Sequence, residues 1–163
     1  MPTKEIITKE TIKAELLHTQ KANIFIHIVA FIFSVIIFSF GIFMSVISDG
    51  IGSIILSSMS SLIFAITVFN TCIYFYTWYK ISAGKFQIVE DTLNYLCEED
   101  NYRYKYVKIE KVLYFHKYGK YILDNLDGSV FEYASKGDEF YLVLLGKNSK
   151  ARIYSKKLYE YKE

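Results

Sequence analysis

Two uninterrupted apolar runs constrain this chain more than any other feature. They are NIFIHIVAFIFSVIIFSFGIFMSVI, from Asn23 to Ile47, and IGSIILSSMSSLIFAITVFNTCIYFYTW, from Ile51 to Trp78. Neither contains Lys, Arg, Asp or Glu. A helix rises about 1.5 Å per residue and the hydrocarbon core of a bilayer is about 30 Å thick, so roughly 20 apolar residues cross it. Both runs exceed that length. Each helix also satisfies its own backbone hydrogen bonds, which a bilayer demands. A soluble core is the competing reading, but the roughly eighty residues after the second run are too few to surround two such helices on all sides. The first run follows a charged stretch and lacks a small-residue cleavage pattern, so it reads as a spanning helix and not as a signal peptide.

The connection Ser48-Asp49-Gly50 permits only a tight turn, which makes the two helices antiparallel neighbours. Lys4, Lys9, Lys13 and Lys21 precede the first helix, Lys80 and Lys85 follow the second, and the turn holds only Asp49. By the positive-inside rule both termini face the cytoplasm, in a multi-pass protein of the cell inner membrane. Tyr74, Tyr76, Trp78 and Tyr79 stand where an interfacial aromatic belt belongs. Small residues mark helix contacts in lipid, where apolar burial drives nothing. Ser53, Ser57, Ser61 and Ala65 recur every four residues, and folding at the turn sets Ser45, Gly41 and Ser34 opposite them. The same register brings His27 to the depth of Asn70 to Cys72, which predicts a His–Asn hydrogen bond across the hairpin in preference to a proton-handling role.

Residues 1–22 form an N-terminal arm. Its Ile6, Ile7, Ile12, Leu16 and Leu17, set against alternating Lys and Glu, predict an amphipathic interfacial helix over Thr3–Lys21. The three-part division is this arm, a transmembrane hairpin over 23–79, and a cytoplasmic β domain over 80–163.

After Lys80 the texture changes to short β-rich runs between turn signals. Strands are predicted near Lys85–Val89, Leu93–Cys97, Tyr102–Ile109, Val112–His116, Tyr121–Leu123, Ser129–Tyr133, Glu139–Leu145 and Ala151–Tyr154. Their spacing implies a small antiparallel barrel or roll. The fold class is therefore membrane α + β. In the order of its elements, two helices and then a β domain, the chain resembles bacterial membrane proteins whose C-terminal portion is PH-like. A PH-like fold implies a closing C-terminal helix, whereas Lys156-Lys157-Leu158-Tyr159-Glu160-Tyr161 leaves room for one or two turns at most. The scarcity of Arg and the abundance of Lys, Ile and Tyr point to an AT-rich bacterial genome.

Chemistry-bearing motifs are sparse. Cys72 and Cys97 have no spacing that makes a disulfide framework or a metal site. His116, with Asp124, Asp138 and Ser129 nearby in sequence, lacks a nucleophile elbow, a phosphate loop or a metal motif. No catalytic residue, cofactor or metal is predicted. The net charge of +2 exerts no global pull on a partner. Locally, Arg103, Lys105, Lys108, Lys111, Lys117 and Lys120 interleave with tyrosines and face only Glu110. Such a stripe suits single-stranded nucleic acid or anionic headgroups. Tethering at a membrane favours lipid over nucleic acid, and a solvated strand face on a tyrosine-rich barrel is the plainest reading of the three. The chain thus reads as a non-enzymatic membrane adaptor whose β domain binds a protein or the inner leaflet. The alternative is an oligomeric transport or immunity component in which several hairpins of one kind assemble.

Overall fold

The computed structural model describes residues 4–48, 50–101, 108–123, 130–146 and 149–162. Two long apolar helices are followed by a mostly antiparallel sheet, and the chain divides into two compact units. Lys13–Ala83 make the helical unit; Met1–Ile12 and Gly84–Glu163 make the β unit.

In the helical unit, α1 (Lys9–Ile47, 39 residues) and α2 (Ile51–Ser82, 32 residues) run for about 58 and 48 Å. The start of α1 corrects the expected helix over Thr3–Lys21. Thr8 caps the helix: its hydroxyl accepts from the Thr11 amide at 3.2 Å, and the Thr11 hydroxyl accepts from the Thr8 amide at 2.8 Å. This reciprocal box holds Thr8 outside the helix, so Glu5–Thr8 extend as strand β1. α2 ends where Gly84 adopts φ +65°, a left-handed conformation that stops a helix.

The two helices lie antiparallel. His27 stacks on Tyr74 with ring centroids 3.8 Å apart, Phe38 stacks on Phe64 at 4.8 Å, and Gly41 lies against Ser60 and Ser57. The less exposed positions step alternately by three and four: Ile24, His27, Phe31, Ser34, Phe38, Gly41 and Ser45 on α1, and Ser53, Ser57, Ser60, Phe64, Thr67, Thr71 and Tyr74 on α2. A 3.5-residue repeat of this kind keeps one seam facing a partner helix. Outside the seam the helices remain uncovered, with only 11% of each apolar window buried.

The β unit holds a five-stranded sheet of order β4-β3-β2-β5-β6 and a two-stranded parallel sheet, β1-β7. Its strands are β2 (Gln87–Asn101), β3 (Lys108–Phe115), β4 (Gly119–Ile122), β5 (Glu139–Gly146), β6 (Ser149–Ser155) and β7 (Tyr159–Lys162). β2 is a single strand of 15 residues where two were expected. Its first half pairs with β5 and its second half with β3, across a register shift between Leu93 and Tyr95. Glu90-Asp91 does not break it, because the buried Asp91 carboxylate serves as an internal acceptor. β4 and β6 are its edges, and the Lys150 ammonium on β6 donates to the Lys120 carbonyl on β4.

Leu93, Leu113, Phe115, Phe140, Leu142 and Ile153 fill the concave face. Val130, in a single helical turn, α3 (Val130–Tyr133), and Ala134, whose amide closes that turn on the Val130 carbonyl, join them where a strand over Ser129–Tyr133 is expected. The i, i+4 spacing explains this, since it brings both small apolar side chains to one side. The C-terminal segment also departs from expectation. Tyr159 and Tyr161 alternate with exposed Glu160 and Lys162, the period of a strand, and β7 pairs with β1 through Glu5↔Tyr159 to Thr8↔Lys162. Tyr161 meets Tyr141 at 6.0 Å and Tyr159 meets Tyr154 at 5.3 Å, so β7 covers the outer face of β5 and β6.

Candidate functional site

The outer face of β2, β3 and β4 carries the most organised polar cluster of the β unit. Alternation along each strand dictates its membership. Tyr95, Cys97 and Glu99 on β2 share a face with Glu110, Val112 and Tyr114 on β3 and with Lys120 and Ile122 on β4, because cross-strand partners point the same way. Glu99 is the hub. One carboxylate oxygen accepts from the Tyr114 hydroxyl at 2.6 Å, and the other accepts from the Lys120 ammonium at 2.5 Å. These two hydrogen bonds, Lys120 first, hold the Glu99 carboxyl below the usual carboxylate range. The same bond, with burial assisting, pushes the Tyr114 phenol up to about 12. Tyr95 stacks on Tyr114 at 4.4 Å while remaining 46% exposed, and Ile122 is equally open. Burial, then the neighbouring Glu99 charge, raises the Cys97 thiol. That keeps it protonated and a poor nucleophile.

The six cations of the expected basic stripe do not share one fate. Arg103 and Lys105 lie outside the described residues. Lys108 and Lys117 are exposed. Lys111 points to the concave side, its ammonium 5.2 Å from the centre of the Phe131 ring. Lys120 is paired with Glu99. Among the described four, then, two are engaged within the fold.

His116 lies at the lip of a cleft of about 200 Å³ lined by Glu90, Asp91, Thr92, Lys117 and Glu139. That volume is below the several hundred Å³ usual for small-molecule sites. Of the triad-type neighbours noted in the sequence, Asp124 and Ser129 lie outside the described residues, and Asp138 accepts from the Ser135 amide and pairs with Lys157. Asp91 has an evident structural task. One oxygen accepts from the Lys117 and Tyr118 amides, both at 2.9 Å, and the other accepts from the Thr92 amide at 2.8 Å. It thereby fixes the turn between β3 and β4, where Gly119 adopts φ +66°. An Asp beside Glu90 resembles a polar loop, so the local pattern carries no sign of this role. Among the described residues no group of His, Cys, Asp and Glu is arranged to hold a metal ion.

In the helical unit Ser34, Ser53 and Gly41 are buried, and Ser57 and Ser45 are half-buried. Ser61 and Ala65 are exposed, and Ser60 and Phe64 stand on the seam in their place. Each four-residue step overshoots a full turn by about 40°, so a strict i+4 stripe winds off a straight contact face. The expected His27–Asn70 hydrogen bond is replaced by the His27–Tyr74 stack, and Asn70 faces outward. No protein-family model, curated protein or solved structure matches the chain, so the likeness to PH-like membrane proteins rests on element order alone.

Proposed function

We propose that the chain is a non-enzymatic integral membrane protein, its helix pair spanning the bilayer and its β unit acting as a cytoplasmic adaptor for a protein partner. The observation that carries the membrane reading is the uncovered apolar surface of α1 and α2. Phe25, Phe33, Phe43, Ile51, Leu62 and Phe69 are each more than half exposed. A surface of this extent in water costs about 25 cal/mol per Å², and lipid removes that cost. The flanking lysines orient both termini to the cytoplasm.

Protein is favoured over the inner leaflet by the division of the basic stripe. Lys111 is turned inward and Lys120 is neutralised by Glu99. Lipid attraction at about 1 kcal/mol per surface cation needs those charges free and coplanar. The outer face instead presents Tyr95, Tyr114 and Ile122 beside one ion pair, a composition suited to protein contact. Affinity capture from membranes after mild crosslinking tests this, comparing the natural chain with a Tyr95→Ala, Ile122→Ser variant. Loss of a specific partner with retained expression supports the adaptor reading. Charge-reversal of Lys108 and Lys117 abolishing recovery with anionic vesicles, with no protein captured, would favour the leaflet.

A further inference from the structure

We infer that two copies of this chain associate in the membrane through the outer face of α2 that carries Asn70, with the two Asn70 amides hydrogen-bonded to each other. The inference rests on the membrane reading above and adds a partner to it.

Asn70 is the one carboxamide in the uncharged stretch 51–79 of α2. The hydroxyls around it resolve their polarity within the helix. Ser58, Ser61, Thr67, Thr71 and Thr77 each donate to the carbonyl four residues back, at 2.8 to 2.9 Å. A carboxamide has two N–H donors and a carbonyl acceptor to satisfy. Asn70 is exposed and has no hydrogen-bond partner among the described residues. Its seam neighbours Tyr74 and Thr67 stand about 40° and 60° from it around the helix and Thr71 about 100°, so Asn70 lies at the flank of the α1 seam, where it is exposed. The cross-hairpin candidate, His27, stacks on Tyr74 and makes no hydrogen bond to Asn70.

Depth removes water as the remaining partner. The stretch 51–79 is centred on Ala65, which puts Asn70 about 7 Å from the midplane and about as far from the hydrocarbon boundary. Its short side chain does not reach that boundary as Lys or Arg does. A second copy supplies what is missing. Copies inserted the same way carry Asn70 at the same depth, and an amide is its own complement, with donor meeting acceptor across a two-fold axis along the membrane normal. Leu56, Met59, Ile63, Ile66 and Ile73 flank Asn70 with the three- and four-residue steps that the α1 seam uses, and all are exposed. One Asn on such a stripe sets register and copy number.

The full chain, with Cys72→Ser and Cys97→Ser, is tested by disulfide formation in isolated membranes at Ile63→Cys, Ile66→Cys and Ala65→Cys. Ile63 lies within about 20° and Ile66 within about 40° of Asn70 around the helix, whereas Ala65 is about 140° away. Dimers are expected at Ile63→Cys and Ile66→Cys and only traces at Ala65→Cys. Adding Asn70→Leu to Ile63→Cys should weaken association about tenfold, and Asn70→Gln should retain most of it. Equal crosslinking at Ala65 and Ile66, or an unchanged yield with Asn70→Leu, overturns the inference. A chain that stays in the membrane fraction without crosslinking at any position overturns the dimer alone, and a chain recovered as soluble protein overturns the membrane reading as well.

Discussion

Glu99 gathers a phenol and an ammonium on one carboxylate, which makes its replacement unusually easy to read out. Glu99→Gln removes the charge that the Tyr114 phenol leans on, so the phenol should titrate nearer its ordinary 10 than about 12, as followed by phenolate absorbance. The signs of the linked stability effects differ. Tyr114, raised in the fold, contributes stability that is complete below about pH 10 and lost as pH climbs toward 12. Glu99, lowered in the fold, contributes stability that is present above its ordinary 4.5 and lost as pH falls through its folded value. Asp91 is a second informative residue. Asp91→Ala strands the Lys117 and Tyr118 amides and should destabilise the β unit by about 1–3 kcal/mol in denaturant titration. Asp91→Asn should cost less because one acceptor oxygen survives. Neither role is legible in the local sequence. Asp91 and Glu99 lie in acidic runs that read as turns, and only their partners 15 to 27 residues away give them meaning.

At the scale of elements, the helices follow from local pattern and their contact face follows only in part. The uncharged runs lie within the two helices, but α1 extends upstream of its run through Lys9–Ala22 to the Thr8 cap. Gly41 and Ser53 are recognisable as small contact residues, but the alternation of three- and four-residue steps that selects Ser60 over Ser61 emerges only when two helices lie side by side. Ser60→Leu should therefore weaken the helix pair in detergent by more than Ser61→Leu, and equal losses would remove the seam. The glycines supply a matched control. A methyl group at Gly41 would sit 2.9 Å from the Ser60 Cβ and 3.5 Å from the Ser57 Cα, so Gly41→Ala should destabilise by about 1–3 kcal/mol. Gly52 has nothing within 4 Å, and Gly52→Ala should be neutral or stabilising by up to about 1 kcal/mol. Among the strands, β5 was plain from its unbroken apolar run. β1 and β7 were not, because a parallel pairing of Glu5 with Tyr159 leaves no trace in either short segment alone.

For the molecule as a whole, that pairing changes where the β unit begins. Its first strand precedes both helices and its remaining strands follow them. A fragment over residues 84–163 lacks β1, so it should melt at lower temperature than the same fragment with residues 1–12 added as a peptide; identical melting would make the β1–β7 ladder dispensable. On the proposed membrane reading the helix pair crosses the bilayer and returns. Thiol labelling in intact cells checks this, in a chain with Cys72→Ser and Cys97→Ser that carries either Gly50→Cys in the turn or Lys136→Cys in the β unit. An impermeant reagent added outside should label Gly50→Cys at once and Lys136→Cys only after permeabilisation. Labelling of Lys136→Cys in intact cells while Gly50→Cys stays protected would contradict the orientation, and recovery of both variants in the soluble fraction would contradict the membrane assignment itself.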